Sequence, residues 1–367
     1  MSLATSRIRA ALTRHLDGPL LGAALALMAV GVLTLSSASN LGLARVSGQL
    51  ANIAVALAVM WAVANVPPHV LARLALPLYF VGLALLGAVA VGGEIVHGAR
   101  RWLDLGVTRV QPSELMKIAV PLALAWYFER HESELRLRNY ALALLMLAVP
   151  VALIARQPDL GTAVLIGAAG FFVVFLAGIP WRLLAGLAVA ALAGLPLVWT
   201  MLHDYQRQRV LTLFDPAQDP LGAGYHTIQS TIAVGSGGLF GKGWLRGTQS
   251  HLDFIPERTT DFIFAVYSEE FGLLGNLALL ALFLVVIARG LVIAADAPTL
   301  FSRLLAGAIT LTFFTYAFVN MGMVSGLLPV VGVPLPLISY GGTALVSVCL
   351  GLGILMSIAT HRKLVPS

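Results

Sequence analysis

An all-α, polytopic membrane protein of about ten transmembrane helices, with a large extracytoplasmic loop between the seventh and eighth, is what this sequence predicts. Three observations carry that expectation. Hydrophobic residues make up 59% of the chain and charged ones only 11%. Apolar runs of about 18 residues or more, each long enough to cross a ~30 Å hydrocarbon core, recur along it. Against this background only residues 202–262 differ in character, and their closing run, 251–262, holds three carboxylates at Asp253, Glu257 and Asp261. No tandem repeat or low-complexity tract divides the chain, so residues 1–367 read as a single integral membrane domain with 202–262 as a loop within it.

Taken in order, the apolar segments fall near 18–37, 48–66, 69–92, 113–130, 140–155, 161–179, 183–201, 263–288, 303–327 and 341–360. The first lacks a small-residue cleavage site and is followed by further spans, which reads as a retained signal-anchor helix. Ser113, after Pro112, suits the N-cap of the fourth span, with Glu114 in the first turn where the helix dipole favours an anion. Asp159 follows Pro158 and precedes the sixth span, so it is either an ordinary N-cap or a functional carboxylate. Asp261 leads directly into the eighth span and carries the same two readings. Glu269 and Glu270 lie about two turns deeper, where one of them should face a cavity or a cation. The single cysteine, Cys349, falls in the tenth span, so no intrachain disulfide forms.

An even number of spans places both termini on one side. With the N-terminus inside, Arg7, Arg9, Arg14, Arg73, Arg130, Arg136, Arg138, Arg182, Arg289, Arg303, Arg362 and Lys363 are cytoplasmic, against only five basic residues in the short outside loops. Both termini are therefore expected in the cytoplasm and the 202–262 loop on the opposite side. The net charge of +6 is spread over these flanks and reads as topology, not as a nucleic-acid-binding face.

The chemistry-bearing residues gather at the outside ends of spans. Glu114 and Lys117 stand three apart on one helix face and can pair. A dipole disfavours a cation near a helix N-terminus, so Lys117 should point into a cavity or snorkel upward, where it suits a phosphate. Arg100, Arg101 and Trp102 share one short outside loop; they are either an interfacial belt or a clamp for a lipid diphosphate, since guanidinium forks match phosphate oxygens. Asp261, at the water–lipid boundary, would gain basicity from partial desolvation and could act as a general base on a sugar hydroxyl. The glycine-rich run from Gln229 to Gly243 does not have Walker spacing, because Ser236 and Gly243 stand where Gly and Ser or Thr are needed. Its glycines suit tight turns in a re-entrant or surface segment. No two histidines have ligand spacing.

Several motifs then carry a resemblance. Gly98-Ala-Arg-Arg-Trp-Leu-Asp-Leu-Gly106, Gln111-Pro-Ser-Glu-Leu-Met-Lys117, Gln157-Pro-Asp-Leu-Gly-Thr162, Gly235-Ser-Gly-Gly-Leu-Phe-Gly-Lys-Gly243, Asp253-Phe-Ile-Pro-Glu-Arg-Thr-Thr-Asp-Phe-Ile-Phe264 and Pro336-Leu-Ile-Ser-Tyr-Gly-Gly-Thr343 occur in this order over nearly the whole chain. Together they resemble the SEDS family (shape, elongation, division and sporulation), in wording nearer its elongation branch than its division branch. The resemblance implies a peptidoglycan glycosyltransferase of the bacterial cytoplasmic membrane that polymerises lipid II on the outer face during cell elongation and rod-shape maintenance. It would work with a class B penicillin-binding protein as transpeptidase and with other elongation-complex membrane proteins. By the family pattern Asp261 is the essential aspartate, while Trp102, Glu114, Lys117 and Asp159 match other positions on which function depends. Members often carry His before the Thr-Asp pair; Thr259 stands there in this chain.

Joined to the residues, the resemblance implies that Asp261 takes the proton of an acceptor hydroxyl while that oxygen attacks the undecaprenyl-linked glycan with inversion. Arg100, Arg101, Trp102, Glu114, Lys117, Asp159 and Glu257 would then bind substrate. No cofactor is called for beyond a divalent cation such as Mg²⁺, which loop carboxylates could bring to the diphosphate. The competing function is a lipid II flippase, with Glu114, Lys117 and Asp159 as a polar path; a third is a noncatalytic scaffold. A path would need charge continuing toward the cytoplasmic side, whereas these groups cluster at the outer ends of their spans.

Overall fold

The computed structural model describes residues 14–361 apart from 97–98, 105–108, 133–134, 158, 203, 216–222, 253 and 256. Each of the ten apolar segments is a helix. The first six are α1 (Gly18–Ala38), α2 (Leu43–Ala64), α3 (Pro68–Gly92), α4 (Pro112–Arg130), α5 (Leu137–Arg156) and α6 (Leu160–Leu176). α7 (Trp181–Met201) follows, then three short helices, α8 (Asp204–Phe214), α9 (Ala223–Ser236) and α10 (Thr248–His251). The long α11 (Ile263–Ala295), α12 (Leu300–Val324) and α13 (Gly342–Thr360) complete the order. Among the described residues, eight helices are long and apolar enough to cross a membrane. α6 is apolar but shorter at 17 residues, and α4 carries Glu114, Lys117, Glu129 and Arg130. The protein is thus a multi-pass, helical membrane protein. A small antiparallel sheet of β1 (Glu94–Val96), β2 (Ala99–Asp104) and β3 (Arg109–Val110) between α3 and α4 was not anticipated.

Two expectations about helix ends change. The N-cap of α4 is Gln111, not Ser113, and Pro112 occupies the first turn. Proline's fixed φ suits that place and its missing N–H is no loss there, so the helix starts two residues earlier. Glu114 stays in the first turn. The eighth span is longer than 263–288 and is broken at Gly272 (φ 62°, ψ −161°).

That break is repaired by the glycine-rich segment after α9. The N–H groups of Leu273 and Leu274 donate to the carbonyls of Gly238 (2.9 Å) and Leu239 (3.1 Å), while those of Lys242 and Gly243 donate to Glu269 (3.0 Å) and Glu270 (3.0 Å). The bonds a continuous helix would make between these positions are exchanged for bonds to the segment, so no break-point group among these four pairs goes unsatisfied in an apolar setting. Such close backbone approach requires glycine: a Cβ on Gly241 (φ 78°) would lie 2.1 Å from the Glu270 carbonyl oxygen. Side chains lock the same junction. Glu269, fully buried, pairs with Lys242 (2.7 Å) and accepts from the Gln249 N–H (3.0 Å), which realises the expected cation partner. Glu270 accepts from Ser37 of α1 and from the Leu245 N–H.

Around this junction α2 packs on α13, α3 on α4, and α12 on both α11 and α6. At the opposite end of α1, Asp17 caps the helix through the Leu20 N–H (3.1 Å) and pairs with Arg289 of α11 (2.6 Å). α7 differs from the rest, as none of its apolar window is buried within the protein.

Candidate active site

Asp261 sits in the turn that leads into α11, and two neighbouring segments fix that turn. The Ser339 hydroxyl donates to the Thr260 carbonyl (2.7 Å) and the Tyr340 N–H to the Thr259 carbonyl (2.9 Å). Gln49 of α2 in turn holds Ser339 through its main-chain carbonyl (3.2 Å). Asn320 of α12 donates to the carbonyl of Asp261 itself (2.8 Å). The Pro336–Thr343 motif is therefore a brace for the aspartate turn, a role its wording alone did not disclose.

The capping alternative for Asp261 does not hold. The N-cap position of α11 falls on Phe262, and no side chain caps that end. The Asp261 carboxylate instead lines a cavity of about 700 Å³. Desolvation there, reinforced by the neighbouring Glu257 carboxylate and opposed by the Arg209 guanidinium, pushes its pKa up to about 6. The carboxylate is thus ionised at neutral pH yet far more basic than an ordinary aspartate, the condition a general base needs.

The same cavity gathers Trp102 from β2, Asp159 from the start of α6, and Glu257. Asp159 caps α6 through the Thr162 N–H (3.3 Å) and also lines the cavity. Glu257, at positive φ (53°), is steadied by the Thr260 hydroxyl (2.8 Å). Glu114 and Lys117 pair at 2.6 Å as expected, and Ser347 of α13 donates to Glu114 (2.7 Å). They are not on the cavity wall: Lys117 lies 5.3 Å from the centre of the Tyr316 ring. Tyr316 lines both the main cavity and a smaller apolar pocket into which Lys117 faces. Arg100 and Arg101 belong to β2 by their backbone, but their side chains lie outside the described residues, as does Asp253.

Sequence reasoning missed Gln206 and Arg209, which α8 presents to the cavity from one helix face at a spacing of three. It also missed Tyr316, Asn320 and Ser339. Thr259 occupies the position where a histidine was noted as absent; a different histidine, His226 of α9, stacks on Phe262 (ring centroids 5.6 Å apart). For a divalent cation, the described residues assemble no group of three or more His, Cys, Asp or Glu side chains.

The helical bundle and this acidic, half-enclosed cavity at one end of it define a polytopic membrane protein with an enzyme-like site. Comparison with known proteins gives the class a name. Residues 19–364 match the family described as cell cycle protein, comprising FtsW, RodA and SpoVE, and the chain belongs to that family. It is 53% identical over 351 residues to the peptidoglycan glycosyltransferase MrdB of Escherichia coli K12, covering 95% of each chain. It is 36% identical to a probable peptidoglycan glycosyltransferase FtsW of Idiomarina loihiensis, over 95% of this chain and 88% of that one. Among solved structures, a chain from a peptidoglycan synthase complex that coordinates polymerization and crosslinking superposes with a TM-score of 0.81 at 35% identity, over 94% of this chain and 97% of that one. The rod shape determining protein RodA of Thermus thermophilus gives a TM-score of 0.72 at 32% identity, over 95% and 97%.

Proposed function

We propose that this protein is a peptidoglycan glycosyltransferase of cell elongation, joining lipid II into β-1,4 glycan with Asp261 as general base. The observation that carries the assignment is the Asp261 carboxylate, raised to about 6 and held in a cavity of about 700 Å³ beside Arg209. Its relatives' activity and the shared fold over nearly the whole chain support the same reading.

In the proposed reaction Asp261 accepts the proton of the acceptor N-acetylglucosamine 4-hydroxyl as that oxygen bonds to the anomeric carbon of the donor. The anomeric carbon–diphosphate bond breaks, and undecaprenyl diphosphate leaves with the electron pair. Inversion converts an α-linked diphosphate into a β-linked glycan. In this reading Arg209, which lines the cavity, meets the diphosphate charge, and Trp102, which lines it too, contacts a sugar. Arg100 and Arg101 are assigned to the same diphosphate from the sequence. Glu114 and Lys117 act from behind, as a pair that backs Tyr316. No step is routed through a divalent cation, because the described residues do not gather a ligand set for one.

The reading includes a single integral domain in the bacterial cytoplasmic membrane, termini in the cytoplasm, the 202–262 segment outside, and a class B penicillin-binding protein as transpeptidase partner. Polymer formation from fluorescent lipid II by the purified protein with that partner, transpeptidase-inactivated, tests it. Long glycan is expected. Lipid II translocation in vesicles with no polymer would point to the flippase instead.

A further inference from the structure

Asn320 lies near the end of α12, with none of its surface exposed. Its side-chain amide donates to two main-chain carbonyls that belong to distant parts of the chain, Asp261 (2.8 Å) and Val333 (2.6 Å). Val333 follows Gly332, which stands at φ 72° on the cavity wall and faces the aspartate so closely that a Cβ there would sit 3.4 Å from Asp261 Oδ2. One amide therefore ties the backbone that carries the carboxylate to the wall that the carboxylate faces.

We propose that Asn320 is a positioning residue for the reaction, setting the reach of the Asp261 carboxylate by holding the Asp261 turn and the Gly332-Val333 wall at a fixed separation. The inference rests on the reading of Asp261 as base. Its chemistry is specific to a side chain with two N–H donors on one nitrogen at this length: serine offers one donor and shorter reach, and leucine offers none. Losing the clamp leaves two carbonyls short of a donor and frees the wall to move. A misplacement of about 1 Å at a reacting group costs on the order of 10²-fold in rate.

The test uses the full-length protein with its transpeptidase-inactivated partner and fluorescent lipid II, comparing wild type with Asn320→Leu and Asn320→Ser, each normalised to folded protein by size exclusion and thermal melting. The groups that bear on the titration of Asp261, Glu257 and Arg209, and Asp159, which shares its cavity, are unchanged in both variants. The expected result is a kcat lower by roughly 10- to 100-fold with KM within about twofold. The acid limb of the pH profile should also move down toward the ordinary carboxylate range, because a loosened wall admits water. Wild-type kcat in both variants overturns the proposal. So does a loss of rate that only tracks loss of folded protein, with the acid limb in place, which is what a purely structural asparagine would give. Should Asn320→Leu fail to fold, Asn320→Ser decides; failure of both to fold assigns a structural role and overturns the proposal. A wild-type protein that makes no polymer would fail the glycosyltransferase reading itself, a different outcome from any of these.

Discussion

At the residue scale, the raised pKa of Asp261 has a cost that can be measured. A carboxyl whose folded pKa is about 6, against an ordinary 3.8, binds more protons folded than unfolded between those values. Stability from this group is therefore greatest at acid pH and declines as pH rises through that window. Asp261→Asn removes the buried charge, so it should melt higher than wild type at neutral pH. The difference should shrink as pH falls from about 6 to about 4 and level off below that, read by thermal unfolding in detergent at several pH values. Asp261 was legible as a candidate from its place in the sequence, before an apolar run. Its partners were not, because Asn320, Ser339 and Arg209 are far away along the chain and reach the turn only through tertiary contact.

At the element scale, the joint between the glycine-rich segment and the broken α11 holds the first turns of the helix into which the Asp261 turn leads. The sequence disclosed half of this: glycines suited to tight turns, and a glutamate needing a cation. It did not disclose that Gly272 breaks the helix, because a lone glycine in an apolar run has no local signature that distinguishes a break from close packing. Lys242→Met strands the fully buried Glu269 carboxylate without its cation. The expected loss is about 3 kcal/mol, seen as a lower melting temperature. Adding Glu269→Leu should recover part of it, and a single variant as stable as wild type would show that the pair does not hold the joint. The start of α4 makes a similar point on a smaller scale, as Pro112 took the first turn and displaced Ser113 from the cap.

At the scale of the whole molecule, the ten apolar segments emerged as ten helices because length and hydrophobicity are properties of a stretch and need no partner. The small sheet between α3 and α4 and the three short helices before α11 carry no comparable signal. Packing also separates the helices: Cys349 of α13 is buried, whereas Leu192 of α7 is 66% exposed. The native protein should resist maleimide until it is unfolded, since it has a single cysteine. A cysteine placed by Leu192→Cys and spin-labelled in bilayers should respond to oxygen dissolved in lipid; a label shielded from lipid would mean that another surface covers α7.

The central claim is that Asp261 removes the acceptor proton, and the most direct test is the rate of glycan formation from lipid II between about pH 5 and pH 8, for wild type and Asp261→Asn side by side. The wild-type rate should fall to half near pH 6, where the carboxylate takes up a proton, while the folded Asn variant makes no polymer at any pH. Polymer from the variant with the wild-type pH profile would contradict the claim and move the base elsewhere in the cavity.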